Sequence, residues 1–140
     1  MCGIAGIFYS DREKKAGNVL IERMTDTLAH RGPDDRGIFI DNNVALGFRR
    51  LSIIDLSASA AQPMPNEDNS VWAVFNGEIY NFIDLRASLE GKGHFFRSRC
   101  DSEILLHAYE EYGTECVKHF NGMFAFTVWD KKKQLMFSVI

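Results

Sequence analysis

Met1-Cys2-Gly3-Ile4-Ala5-Gly6-Ile7-Phe8-Tyr9 opens the chain. Residues 3–9 are short, apolar and rich in β-formers, which predicts a buried strand. Cys2 then stands at the leading end of a rigid element. Removal of an initiator methionine requires a small second side chain, and cysteine qualifies. Once Met1 is gone, Cys2 carries a thiol and a free α-amine on one residue. The two groups titrate close together, so the amine, directly or through a water, takes the thiol's proton. That is the arrangement of an N-terminal nucleophile activated by its own amino group. The same position also describes an ordinary second residue, and the rest of the chain decides between them.

Working outward, Asn18 reads as a helix N-cap, with Leu20, Met24 and Leu28 at i, i+4 and i+8. This helix ends near His30, because Gly32-Pro33 cannot continue it. Residues 37–40 and 44–49 read as strands joined by the turn Asp41-Asn42-Asn43. Residues 57–70 are poor in large apolar side chains and predict a long ordered loop over the surface. Val71-Trp72-Ala73-Val74-Phe75 predicts a central strand with Asn76-Gly77-Glu78-Ile79-Tyr80-Asn81 at its end. Asn81 caps a short helix carrying Leu85 and Leu89, and residues 94–96 form a short strand. Asp101 and Ser102 open a helix over 103–112, stopped by Gly113. A helical turn spans 115–120. Residues 123–129 and 135–140 close the chain as two strands around a polar turn.

Bulk composition bounds the function. The 140 residues are one domain's worth, with 46% hydrophobic and 25% charged residues. A net charge of −3 gives no reason to expect nucleic acid or an anionic membrane as partner. There is no apolar run long enough to span a bilayer and no secretory leader pattern. Three cysteines, Cys2, Cys100 and Cys116, have no framework spacing and point to free thiols in a reducing cytoplasm. His30, His94, His107 and His119 show no metal-ligand pattern with them.

The residues that could carry chemistry are Cys2, Arg50, Asn76, Gly77, Glu78 and Asp101. A cysteine attacking an amide needs donors for the oxyanion, and the Asn76 side chain with the Gly77 backbone N–H supplies them. A free amino acid needs a cation for its carboxylate and an anion for its ammonium. Arg50 offers the first, and Glu78 and Asp101 the second. Each has a bland alternative: Arg50 a surface ion pair, Asn76-Gly77 a tight turn, Asp101 a helix cap.

Seven blocks occur in a fixed order: Met1-Cys2-Gly3-Ile4-Ala5-Gly6, His30-Arg31-Gly32-Pro33-Asp34, Arg50-Leu51-Ser52-Ile53-Ile54-Asp55, Gln62-Pro63-Met64, Asn76-Gly77-Glu78-Ile79-Tyr80-Asn81, Cys100-Asp101-Ser102-Glu103 and Gly122-Met123-Phe124-Ala125-Phe126. Together they resemble the class II glutamine amidotransferases, most closely the asparagine synthetase (glutamine-hydrolysing) branch. The resemblance covers essentially the whole chain. It implies an α+β fold, the N-terminal nucleophile hydrolase αββα sandwich of two antiparallel sheets. It implies that Cys2 attacks the side-chain amide of glutamine, releasing ammonia and then glutamate through a γ-glutamyl thioester. Asn76 and Gly77 resemble the oxyanion hole. Arg50, with Leu51, Ser52, Ile53 and Ile54, resembles the carboxylate-binding stretch, and Glu78 and Asp101 the remaining glutamine binders. No metal or cofactor is implied for this half-reaction. ATP and magnesium belong to a synthetase domain that follows in the family.

Two departures stand out. The family more often has Thr-x-Ser before the aspartate, where this chain reads Arg97-Ser98-Arg99-Cys100-Asp101. The chain also stops inside an apolar strand, so residues 1–140 are expected to be a C-terminally truncated domain whose open edges favour a homodimer or low stability. Two other functions stay open: an inactive glutaminase-like assembly module, and an amidotransferase acting on a sugar acceptor for surface polysaccharide.

Overall fold

The computed structural model describes residues 2–51 and 60–140. Its order is β1 (Gly3–Phe8), α1 (Asn18–Thr27), β2 (Asp35–Asp41), β3 (Val44–Arg50), β4 (Met64–Pro65), β5 (Val71–Ile79), α2 (Phe82–Gly91), α3 (Ser102–Tyr112), a 3₁₀ segment (Gly113–His119), β6 (Gly122–Asp130) and β7 (Leu135–Val139). The strands form two antiparallel sheets, β1-β3-β2 and β4-β5-β6-β7.

Period-two alternation explains the layering. In β3, Val44, Leu46 and Phe48 turn to one side and meet Val74 and Trp129 of the other sheet. Ala45, from the opposite side of β3, packs with Ile7 and Ile21, where α1 covers the sheet. In β5, Val74 faces the smaller sheet, while Ala73, Phe75 and Ile79 face Ile104, Leu105 and Ala108 of α3. Two apolar faces per sheet require two covering layers, and α1 on one side with α2 and α3 on the other provide them. Stacked rings of Phe39 and Trp72, 4.1 Å apart, bridge the sheets, and Trp129 donates its indole N–H to Asp41 at 2.9 Å. Each large side chain buried this way contributes about 1.5–3 kcal/mol.

Several expectations need correction. β1 is an edge strand, with only Gly3 and Ile7 buried. The buried stripe of α1 is Ile21 and Thr25, whereas Leu20 is exposed. Gly47 lacks a side chain on the facing strand, which lets Thr25 come close. The surface loop contains β4, which adds a rung to the larger sheet, and its start at 57–59 lies outside the described residues. β5 does not end at Phe75 but runs through Asn76, Gly77 and Glu78 to Ile79, paired throughout with β6. Asn81 does not cap α2 through its side chain. Its amide instead donates to His119 O and accepts from Asn121 N–H, at 3.0 and 2.9 Å, tying α2 to the start of β6. Residues 94–96 form no strand and pair with no strand among the described residues; Phe95 is exposed and Phe96 packs under α3.

Candidate active site

Where β1 and β3 begin and end, the chain is pinned closely. Gly3 pairs with Arg49, which sets Cys2 beside the end of β3. The Arg31 guanidinium donates to Cys2 O at 3.1 Å, and Asp34 N–H donates to Arg50 O at 3.0 Å. The Arg31-Gly32-Pro33-Asp34 turn therefore holds both strand ends. The Cys2 sulfur itself accepts from Leu51 N–H at 3.3 Å and packs on the apolar layer between the sheets.

This end of the sandwich opens into a cavity of about 370 Å³, of a size that suits a small polar ligand. Seven of the residues singled out from sequence line it: Cys2, Arg50, Leu51, Asn76, Gly77, Glu78 and Asp101. Ser52, Ile53 and Ile54 lie outside the described residues. Arg50 is buried, so it is not a surface ion pair. Asn76-Gly77 is a strand, not a turn. Gly77 adopts φ +145°, which disfavours any side chain, and a Cβ there would stand 2.1 Å from Met123 O. Asp101 occupies the N-cap position of α3, yet its carboxylate reaches back to β5 and accepts from Ile79 N–H at 2.9 Å. Burial pushes the Asp101 carboxyl above its ordinary value, and the nearby Glu78 charge acts in the same sense.

Some contributors were not singled out as site residues. Gln62 lines the cavity and its Oε1 accepts from Phe75 N–H at 2.6 Å, extending the β4–β5 ladder by a side-chain rung. Its backbone lies against β2, where a Cβ on Gly37 would fall 1.7 Å from Gln62 O. Its place in the Gln62-Pro63-Met64 block was the available signal. Cys100 also lines the cavity, its sulfur 3.0 Å from Ser98 Oγ and 2.9 Å from Ser102 Oγ. Glu103 fixes this loop, accepting from Arg97 N–H, Ser98 N–H and Ser98 Oγ at 2.8, 2.7 and 2.6 Å. Burial alone would raise its carboxyl; the His107 imidazole 3.5 Å away and the hydrogen bonds from the loop outweigh that and bring it down to about 2. The three cysteines are free, but Cys116 is buried and its thiol is pushed up to about 11 by burial. That leaves it a poor nucleophile. Among the described residues no helix is long and apolar enough to cross a membrane.

Two antiparallel sheets between helical layers, with a cysteine leading the first strand, define the N-terminal nucleophile hydrolase sandwich. The glutamine phosphoribosylpyrophosphate amidotransferase of Bacillus subtilis shares it, with a TM-score of 0.72 over 91% of this chain and 35% of that one, at 19% identity. Residues 1–139 match the profile of the glutamine amidotransferase domain, and the chain belongs to that family. It is similar to asparagine synthetase [glutamine-hydrolyzing] 1 of Bacillus subtilis, 43% identical over 98% of this chain and 22% of the relative. It is also similar to asparagine synthetase [glutamine-hydrolyzing] 1 of Arabidopsis thaliana, 39% identical over 94% of this chain and 22% of the relative. The chain thus spans about a fifth of the length of these curated relatives.

Proposed function

We propose that this domain hydrolyses glutamine to glutamate and ammonia, as the ammonia-producing half of an asparagine synthetase-like enzyme of the cytoplasm. The observation that supports it best is the gathering of Cys2, Arg50, Asn76, Gly77, Glu78 and Asp101 around one cavity. In this reading Met1 is removed and the Cys2 amine takes the thiol proton. The thiolate adds to the glutamine side-chain carbonyl, and Asn76 with the Gly77 N–H holds the resulting oxyanion. The proton passes to the departing nitrogen, the C–N bond breaks, and ammonia leaves a thioester on sulfur. Water then adds to the thioester; the C–S bond breaks, glutamate departs and the thiol is restored. Arg50 and the backbone at Leu51, continuing into Ser52, Ile53 and Ile54, take the substrate carboxylate. Asp101 and Glu78 take its ammonium. A following synthetase domain that uses ATP and magnesium consumes the ammonia; the length of the relatives supports this partner.

Intact mass first reads the loss of Met1. A glutamine-analogue diazo ketone then adds covalently to Cys2, and the processed chain releases glutamate from glutamine. Cys2→Ala abolishes the adduct and lowers release by at least about four orders of magnitude. A processed, folded chain that gives neither adduct nor glutamate refutes the proposal and favours an assembly module.

A further inference from the structure

A second polar cluster lies on α3 beyond the cavity. His107, only 2% exposed, brings Nδ1 to 3.2 Å from Glu110 Oε2 and 3.8 Å from Glu67 Oε1. His94, from the segment before the helix, brings its own Nδ1 to 3.6 Å from the same Glu110 oxygen. One ligand atom each from His94, His107 and Glu110 falls within 4.8 Å of the others. The far nitrogen of each ring faces a different carboxylate. His94 Nε2 is 3.2 Å from Glu111 Oε2, and His107 Nε2 is 3.5 Å from Glu103 Oε1. That His107 Nε2 is fully buried and makes no hydrogen bond.

We infer that His94, His107 and Glu110 form a binding site for a zinc-class transition-metal ion, with water completing its shell. Bonds of about 2.0–2.2 Å at tetrahedral angles place neighbouring ligand atoms roughly 3.4 Å apart, and the 3.2 and 3.6 Å from Glu110 Oε2 to the two Nδ1 atoms bracket that spacing. Imidazole nitrogens with carboxylate oxygens select zinc or its neighbours over magnesium or calcium. A metal-bound imidazole donates its other N–H to a carboxylate, and Glu103 and Glu111 stand where that partner belongs. A metal on both Nδ1 atoms fixes the tautomer with the proton on Nε2. The buried Nε2 of His107 then carries a hydrogen aimed at Glu103. Lys92 already pairs with Glu111 at 2.9 Å, but Glu67, Glu103 and Glu110 around His107 still leave an acidic locus that a divalent cation neutralises. The ion's role is structural. It pins His94 to α3, so that the chain between them, which Glu103 already grips, holds Asp101 at the cavity wall.

The test uses the full chain without a histidine tag, stripped of metal with a chelator. It is titrated with Zn²⁺ alone, and with Co²⁺ as a spectroscopic probe. One Zn²⁺ per chain that survives dialysis is expected, with a Co²⁺ visible band lacking thiolate charge transfer. Excess Mg²⁺ does not displace it. His94→Gln and Glu110→Gln each weaken binding at least tenfold. Glu103→Gln weakens it by about 10- to 100-fold. His94 lies near the surface, so its variant reports binding even where Glu103→Gln unfolds. No stoichiometric ion, affinity unchanged in His94→Gln, or a thiolate band that disappears in Cys2→Ser would each overturn the site.

Discussion

The two sheets are built to different weights. The smaller one, β1-β3-β2, carries a single helix and a thin layer around Ile7, Ile21 and Ala45. The larger one carries α2 and α3 over a core that runs from Met64 to Val128. Cys2 and Arg50 come from the light sheet, at the ends of an edge strand and its neighbour, while Asn76, Gly77 and Glu78 come from the interior strand of the heavy one. A nucleophile that uses its own amine has to be a chain terminus, and an edge strand can receive one. Oxyanion donors must not reorganise as charge develops, so they belong on a backbone that a ladder holds, and β6 holds β5 throughout this stretch. In the proposed reaction the cavity is the seam between a part that must be free at one end and a part that must not move.

The sharpest way to break this comparison is Asn76→Ala. If the heavy sheet supplies the oxyanion donors, kcat for glutamate release falls about 100- to 1000-fold. KM changes little and the melting temperature holds. A loss confined to KM would move Asn76 from the transition state to substrate binding.

The helical layer over the heavy sheet sharpens it next. Burial would lower the pKa of His107, but Glu103 and Glu110 outweigh it and raise that pKa to about 9 from its ordinary 6.5. A raised histidine stabilises fully below pH 6.5 and loses that contribution as pH rises through about 9. Glu103, lowered to about 2, stabilises fully above its ordinary 4.5 and loses that contribution as pH falls through about 2. Melting curves of metal-free protein should therefore show the full contribution of this pair between about pH 4.5 and 6.5. His107→Gln should remove the alkaline decline and cost on the order of 3 kcal/mol near neutrality. A variant that keeps the same alkaline slope would place the cause elsewhere.

The smallest effect is expected on the light sheet. Asp26 pairs with Arg36 and Arg49 across α1 and the sheet edge, at 3.1 and 2.5 Å, but it is half exposed. Solvent and salt screen such pairs. Asp26→Asn should leave both melting temperature and glutamate release unchanged within error; a marked loss would show that the light sheet depends on its surface charges.

Much of this was legible in the sequence, for physical reasons. Glycine, proline and apolar runs mark strand and helix limits locally, so β2, β3, α3 and β7 fell close to their predicted places. The polar residues Asn76 and Glu78 looked like the end of a strand because polarity inside an apolar run reads as a boundary. In the structure they are β5 positions whose faces open on a cavity, which no local pattern encodes. The stripe of α1 was misplaced by one residue. Leu20 outranks Thr25 in hydrophobicity, but it is Thr25, with Ile21, that meets the space beside Gly47. Spacing in sequence shows no metal pattern between histidines and cysteines, while the neighbours of His94 and His107 are carboxylates brought in by the helix turn and by chain reversal before it.

Gly37 sits on β2, away from Cys2, and is not among the cavity's lining residues. Yet the empty space above its α-carbon is where Gln62 crosses from one sheet to grip the other. A single methyl there would lift that crossing strap. The chamber's girth would then be set from a distance, by a residue that forms no part of its wall.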